Sequence, residues 1–374
     1  MIGESHPEAL KGATSAVSAG KRPTPGRRAP IDLRAKAETA RRALRAGGIW
    51  GLVVKTIRVG ESWVTRWGQR LWITRCVRRL WWTTRMRANE GVCSVEITTN
   101  YVGFFAQVNW CLFIFQYCER HGLIPDLRLT GETYLDRDRG LNWLEHYFDL
   151  SEPMTAEDIA NRVRYTKRIY DFVQMGPPIA PDMSIDEGAR LLHKYLRLKP
   201  HIHKMVEDLW AAFRIDGPVV GVHFRGTDKS TEAPRVSWQH CLKILEKYLS
   251  NHSTTRAVFV ASDEQEFVDF IGQSITHIPV HSRDDHYRSL TNEKRPVFLK
   301  EGGGYEKGED ALVNALLLAK CSTLIRTTSF LSAWASIFNP ELKVILLNKP
   351  YDKYLWYPER EILSARQTEY LPEL

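Results

Sequence analysis

Residues 218–232 read PVVGVHFRGTDKSTE. The run Val219–Phe224 is apolar apart from Gly221 and His223 and does not alternate with polar residues, which suits a strand of a parallel sheet covered on both faces. His223, Arg225, Asp228, Lys229 and Glu232 then crowd into ten positions. In open α/β sheets ligands bind just beyond the carboxyl ends of the strands, so this charge stands where a ligand would. Arg225 offers a planar fork matched to phosphate oxygens and Lys229 a second positive charge, a pair suited to a diphosphate. The spacing by itself fits a second reading better: an Arg225–Asp228 ion pair fastening the loop, with Lys229 in water.

Working outward, residues 219–374 alternate strand and helix. Strands are expected at about 219–224, 257–261, 276–281, 323–326 and 343–347, and helices at about 237–250, 264–272, 309–320 and 329–338. That order indicates a parallel sheet with helices on both faces. VFVASDEQEFVDF (258–270) brings Ser262 and Asp263 to a strand end, where Asp263 either accepts hydrogen bonds from a base or ribose or caps the following helix. STLIRTTSFLSAWASIF (322–338) puts Thr327, Thr328 and Ser329 directly before a helix, an arrangement that suits an anion as well as capping.

Upstream, SVEITTNYVGFFAQVNWCLFIFQYCERHGLIPDLRL (94–129) reads as strand, glycine-bearing turn, apolar helix and strand. This βαβ opening places Gly103 at a strand-to-helix turn where a backbone approaches a ligand closely. Residues 140–216 look mainly helical, broken at MGPPIAPD (175–182) and at Pro200. The segment EKRPVFLKEGGGYEKGED (293–310), with its three glycines, reads as a mobile loop bordering a cleft or as an ordinary surface connection.

A chain of 374 residues exceeds one domain. Three parts are expected: a basic arm over 1–90, an α/β acceptor-side domain over 91–216, and a Rossmann-like nucleotide-sugar domain over 217–374. The net charge of +8 belongs to the arm, where 19 Lys/Arg face 6 Asp/Glu, against 33 and 38 in the remainder. Residues 1–30 have too few apolar side chains to offset the entropy of ordering. Within 61–87, Trp63, Trp67, Leu71 and Trp72 recur at helical spacing among arginines, a pattern that suits an anionic membrane surface or docking on the body. Nucleic acid is not expected as a partner, because nothing in the body supports it. Six scattered cysteines lack the close pairs of a zinc site, and neither a signal peptide nor a spanning helix is evident, so a cytoplasmic location, with the arm resting peripherally on a membrane, is the expectation.

At HFRGTDKSTE (223–232), YVGFFAQ (101–107) and VASDEQEF (260–267) the sequence resembles the α1,6-fucosyltransferase family, tightly over 219–232 and loosely over 95–350. The resemblance implies a GT-B-like pair of Rossmann-like domains and inverting transfer of fucose from GDP-fucose to a glycan acceptor, with no metal or other cofactor. By that resemblance Arg225 holds the β-phosphate, and His223 and Asp263 lie near the guanosine. Asp228 and Lys229 shape the catalytic loop, and Glu232 is the base. The turn at Gly103 and Gln107, with Thr327, Thr328 and Ser329, completes the substrate-binding set. Phe105 stands where the family often has a second glycine, and two residues separate Lys229 from Glu232 where the animal enzyme has three.

Overall fold

The structure is a computed structural model that describes residues 91–100, 102–150, 164–169, 182–226, 232–284, 288, 302–351 and 355–373. The basic arm with its Trp/Arg segment, most of MGPPIAPD, and the pair Asp228 and Lys229 lie outside the described residues. The described residues all belong to one compact unit, Arg85–Leu374.

The first part opens with β1 (Val92–Ile97), α1 (Phe104–His121) and β2 (Ile124–Leu129), the expected βαβ unit. With β4 (Arg164–Arg168) these strands form a parallel three-stranded sheet in the order β2-β1-β4. Between them β3 (Phe148–Leu150) pairs antiparallel with β5 (Leu196–Leu198). The mainly helical reading of 140–216 is therefore corrected: strands interrupt it, and helices occupy α2 (Ile185–Tyr195) and α3 (Pro200–Ala212). Pro200 starts a helix rather than breaking one, because the first helical position has no intrahelical partner for its N–H.

The second part runs β6 (Val219–Phe224), α4 (Trp238–Asn251), β7 (Ala257–Ser262), α5 (Gln265–Ser274) and β8 (Val280–Ser282). It continues through α6 (Gly304–Ala319), β9 (Thr323–Arg326), α7 (Phe330–Phe338), β10 (Lys343–Leu346), α8 (Glu359–Ser364) and β11 (Thr368–Tyr370). All five pairings are parallel, in the order β11-β10-β9-β6-β7-β8. This is the Rossmann strand order, and the chain reverses direction across the sheet between β6 and β9.

The unbroken burial of β6 has a simple cause. Val220, Val222 and Phe224 enter one apolar cluster with α4 and α5, while Val219 enters the other, with α6, α7 and the first part. The strand keeps its period of two, but both faces are covered. The second cluster also contains Cys93, Val108 and Leu129, so both sheets share one core. Phe105 fastens this joint, its ring centroid 5.3 Å from that of Trp334 on α7.

The triple-glycine segment differs from the loop expected. Residues 302–310 are described, and α6 begins at Gly304, five residues earlier than the sequence suggested. A Cβ at Gly304 would lie 2.4 Å from the Leu135 carbonyl oxygen, so glycine here admits close packing of a helix start against the 130–147 loop.

Candidate active site

The reversal between β6 and β9 leaves a crevice at their carboxyl ends, and the candidate residues collect there. The Arg225 N–H donates to Thr327 Oγ1 at 2.8 Å and the Thr327 N–H to the His223 carbonyl at 3.0 Å, stitching the two strand ends together. From β7, Asp263 Oδ1 accepts the Gly226 N–H at 3.1 Å and Oδ2 lies 3.6 Å from Arg225 Nε. The Arg225–Asp263 pair is 18% and 10% exposed, so both side chains are largely covered.

Asp263 therefore ties the loop after β6 and does not cap α5. Helix α5 starts at Gln265, and Ser262 Oγ takes the Glu264 N–H at 3.1 Å while donating to the Phe224 carbonyl at 2.9 Å. Glu264 lies beneath Gly226, held by Trp238 Nε1 at 3.1 Å, and burial, aided by the neighbouring Asp263, pushes its carboxyl above the usual range. A Cβ at Gly226 would fall 2.3 Å from a Glu264 carboxylate oxygen, so a larger residue here must displace that buried carboxylate.

The turn after β9 is equally tight. Thr327, Thr328 and Ser329 are all buried, and Ser329, the residue before α7, makes no side-chain cap. The Thr328 N–H is taken by Asn348 Oδ1 at 2.7 Å, while Thr328 Oγ1 has no partner among the described residues. Arg326 turns inward, bonding Glu359 at 2.8 Å, Ser332 Oγ at 2.9 Å and the Ser329 carbonyl at 3.1 Å. His223 is buried between these strand ends, and burial, then the charges of Arg326 and Arg225, holds its imidazole well below the ordinary histidine pKa. It is a neutral ring at physiological pH, able to accept or donate one hydrogen bond but not to act as a cation.

Glu232 is half-buried, with its carbonyl accepting the Tyr351 N–H at 2.9 Å. From the first part, Gly103 precedes α1 and its carbonyl accepts the N–H groups of Ala106 and Gln107. The Gln107 side chain is buried and donates to the Val102 carbonyl at 2.9 Å, so it shapes the turn from within. Tyr134, buried in the 130–147 loop, comes within electrostatic reach of Arg225. Among the described residues no cluster of three His, Cys, Asp or Glu side chains could hold a metal ion, and no helix is long and apolar enough to cross a membrane.

The structure thus brings His223, Arg225, Asp263, Thr327, Thr328 and Ser329 to one set of strand ends, with Gly103 and Gln107 on the other part. Tyr134, Glu264, Arg326, Asn348 and Glu359 were not anticipated. Glu264 carried a signal as the acid directly after Asp263, and Arg326 as the residue directly before Thr327; Tyr134, Asn348 and Glu359 meet the site through contacts distant in sequence.

Residues 189–295, spanning β6, β7 and β8, match the family model for alpha-(1,6)-fucosyltransferase N- and catalytic domains. Of the site residues just described, His223, Arg225, Glu232 and Asp263 lie within the matched stretch, whereas Gly103, Gln107 and the 326–329 turn lie outside it. No curated protein matches the chain. Among solved structures, NodZ alpha-1,6-fucosyltransferase soaked with GDP-fucose is 17% identical, with a TM-score of 0.45, covering 69% of this chain and 98% of its own. NodZ from Bradyrhizobium is 18% identical with a TM-score of 0.40, covering 67% and 94%. A mutant of Arabidopsis thaliana FUT1 in complex with GDP is 13% identical with a TM-score of 0.43, covering 73% and 74%. Likenesses this loose leave the site to be judged on its own residues.

Proposed function

We propose that this chain transfers fucose from GDP-fucose to a glycan hydroxyl, with inversion and without a resident metal. The observation that carries the reading is the Arg225 guanidinium held at the β6/β9 crevice, inside the fucosyltransferase-type segment. In one displacement the acceptor oxygen bonds to the sugar's anomeric carbon from the face opposite the diphosphate. The bond from that carbon to the β-phosphate oxygen breaks, and GDP leaves with the electron pair. Glu232 takes the acceptor's proton. Arg225 stabilises the charge growing on the β-phosphate, and because its backbone is anchored to Thr327 it needs little reorganisation as charge develops. Asp228 and Lys229 shape the loop between these groups, and neutral His223 with Asp263 faces the nucleoside. The start of α7 after Ser329 adds its N–H dipoles to the diphosphate side.

A thermal-shift panel of GDP, UDP, CDP and their sugars tests the donor: GDP and GDP-fucose should raise the melting temperature most. Release of GDP from GDP-fucose in the presence of a glycan panel tests the transfer, and a GDP-selective shift without release would leave a nucleotide-binding protein instead. The Trp/Arg segment 61–87 extends the proposal to a cytoplasmic membrane surface. Co-sedimentation with anionic but not neutral vesicles is the outcome expected, and equal sedimentation with both would reject it.

A further inference from the structure

Asn348 lies just past β10, at the same sheet edge as Arg225 and Thr327, and is buried. Its two amide functions point to different loops. Oδ1 accepts the Thr328 N–H at 2.7 Å, and Nδ2 donates to the Pro234 carbonyl at 2.7 Å. The first bond fixes the turn whose neighbouring residue, Thr327, holds the Arg225 backbone. The second fixes the segment two residues after Glu232, a reach of at most about 7 Å along the chain. That segment is tied again where the Tyr351 N–H donates to the Glu232 carbonyl at 2.9 Å.

We infer that Asn348 is a positioning residue that sets the spacing between the phosphate-side turn carrying Arg225 and the loop carrying Glu232. The inference rests on the transferase reading for those two roles, but the bridge itself is a fact of geometry. A short carboxamide suits the position because it presents an acceptor and a donor at once, from one side chain. An ionised carboxylate of the same length cannot hold both loops: aspartate keeps the acceptor for Thr328 and opposes the Pro234 carbonyl with a second oxygen. An offset of about 1 Å between a grip and a base costs about a hundredfold in turnover without abolishing binding.

The test combines Asn348→Ala and Asn348→Asp in the full-length chain, with residue-resolved amide exchange, GDP titration and donor turnover. Asn348→Ala should speed exchange at both Thr328 and Tyr351. Asn348→Asp should keep Thr328 slow and release Tyr351. Both variants should lose turnover by about a hundredfold, with GDP affinity close to wild type. A residue that only supported the fold would move both amides and the affinity together in each variant. Wild-type turnover in Asn348→Asp, or a Tyr351 amide as slow as in the native chain, overturns the inference. If the wild-type chain itself turns over no GDP-fucose, the transferase reading fails and with it the assigned roles, while the exchange pattern still decides whether the bridge exists.

Discussion

Replacing Arg326 by methionine should be among the most damaging single changes in the second part. Arg326 and Glu359 are both 0% exposed and meet through one contact of 2.8 Å. Arg326 Nη1 and Glu359 Oε1 have no partner among the described residues, so the pair is satisfied only in part. Without Arg326 a carboxylate remains in the core with its cation gone, a loss of about 3–5 kcal/mol. Little is added by the other bonds lost, because the Ser329 carbonyl still accepts the Ala333 N–H at 2.9 Å. Glu359→Leu should cost a similar amount by stranding the guanidinium. The double variant Arg326→Met/Glu359→Leu removes both charges and should return to within about 1 kcal/mol of the wild type or exceed it, since apolar replacements of buried pairs are often neutral or stabilising. Against a total stability of about 5–15 kcal/mol these shifts are large. Urea unfolding of the four proteins, at unchanged m-value, completes the cycle. Single losses below about 1 kcal/mol, or a double variant as unstable as the summed singles, would refute the reasoning.

Gly226→Ala should impair transfer and lower stability, because its Cβ would meet the Glu264 carboxylate at 2.3 Å; combining it with Glu264→Ser should recover part of both, and no recovery would mean the steric account is wrong. Acid should weaken the fold through His223. Its folded pKa is held well below that of the unfolded chain, so the unfolded state takes up the proton first as pH falls through about 6.5, and stability is lost below that point. His146 and His281, also lowered by burial, act in the same sense. Urea midpoints should fall between about pH 7.5 and 5.5, and His223→Gln should flatten the fall by up to about 1.4 kcal/mol per pH unit; a wild-type profile already flat would remove the basis for a buried neutral ring.

Much of this architecture was legible because its signals are local. VVGVHF has no alternation because both faces of β6 are covered, and that feature is written in six consecutive residues. The alternation of strands and helices after Pro218 and the βαβ opening were readable for the same reason. The reading failed where structure is short or decided at a distance. The strands Phe148–Leu150 and Leu196–Leu198 are three residues long, too short for any period to register, and they pair across nearly fifty residues. The glycines at 302–304 resemble a loop, yet Gly304 is a helix residue admitted by the backbone of Leu135. Asp263 has the type and position of a cap, but Ser262 already takes the N–H of Glu264, which leaves the Asp263 carboxylate to the Arg225–Gly226 loop. The partners of the 326–329 turn, Asn348 and Glu359, lie twenty or more residues away.

The most direct measurement is calorimetric titration of GDP, with donor turnover, for the wild type and Arg225→Ala at matched stability. Urea unfolding of both proteins separates any stability lost with the Arg225–Asp263 contact of 3.6 Å from the loss of turnover. Asp263 keeps its bond from the Gly226 N–H. Turnover should nevertheless fall by about a hundred- to a thousandfold, the scale of losing one preorganised charge-stabilising donor, and GDP should bind more weakly. Wild-type affinity and turnover in Arg225→Ala would contradict the claim that this side chain grips the departing diphosphate.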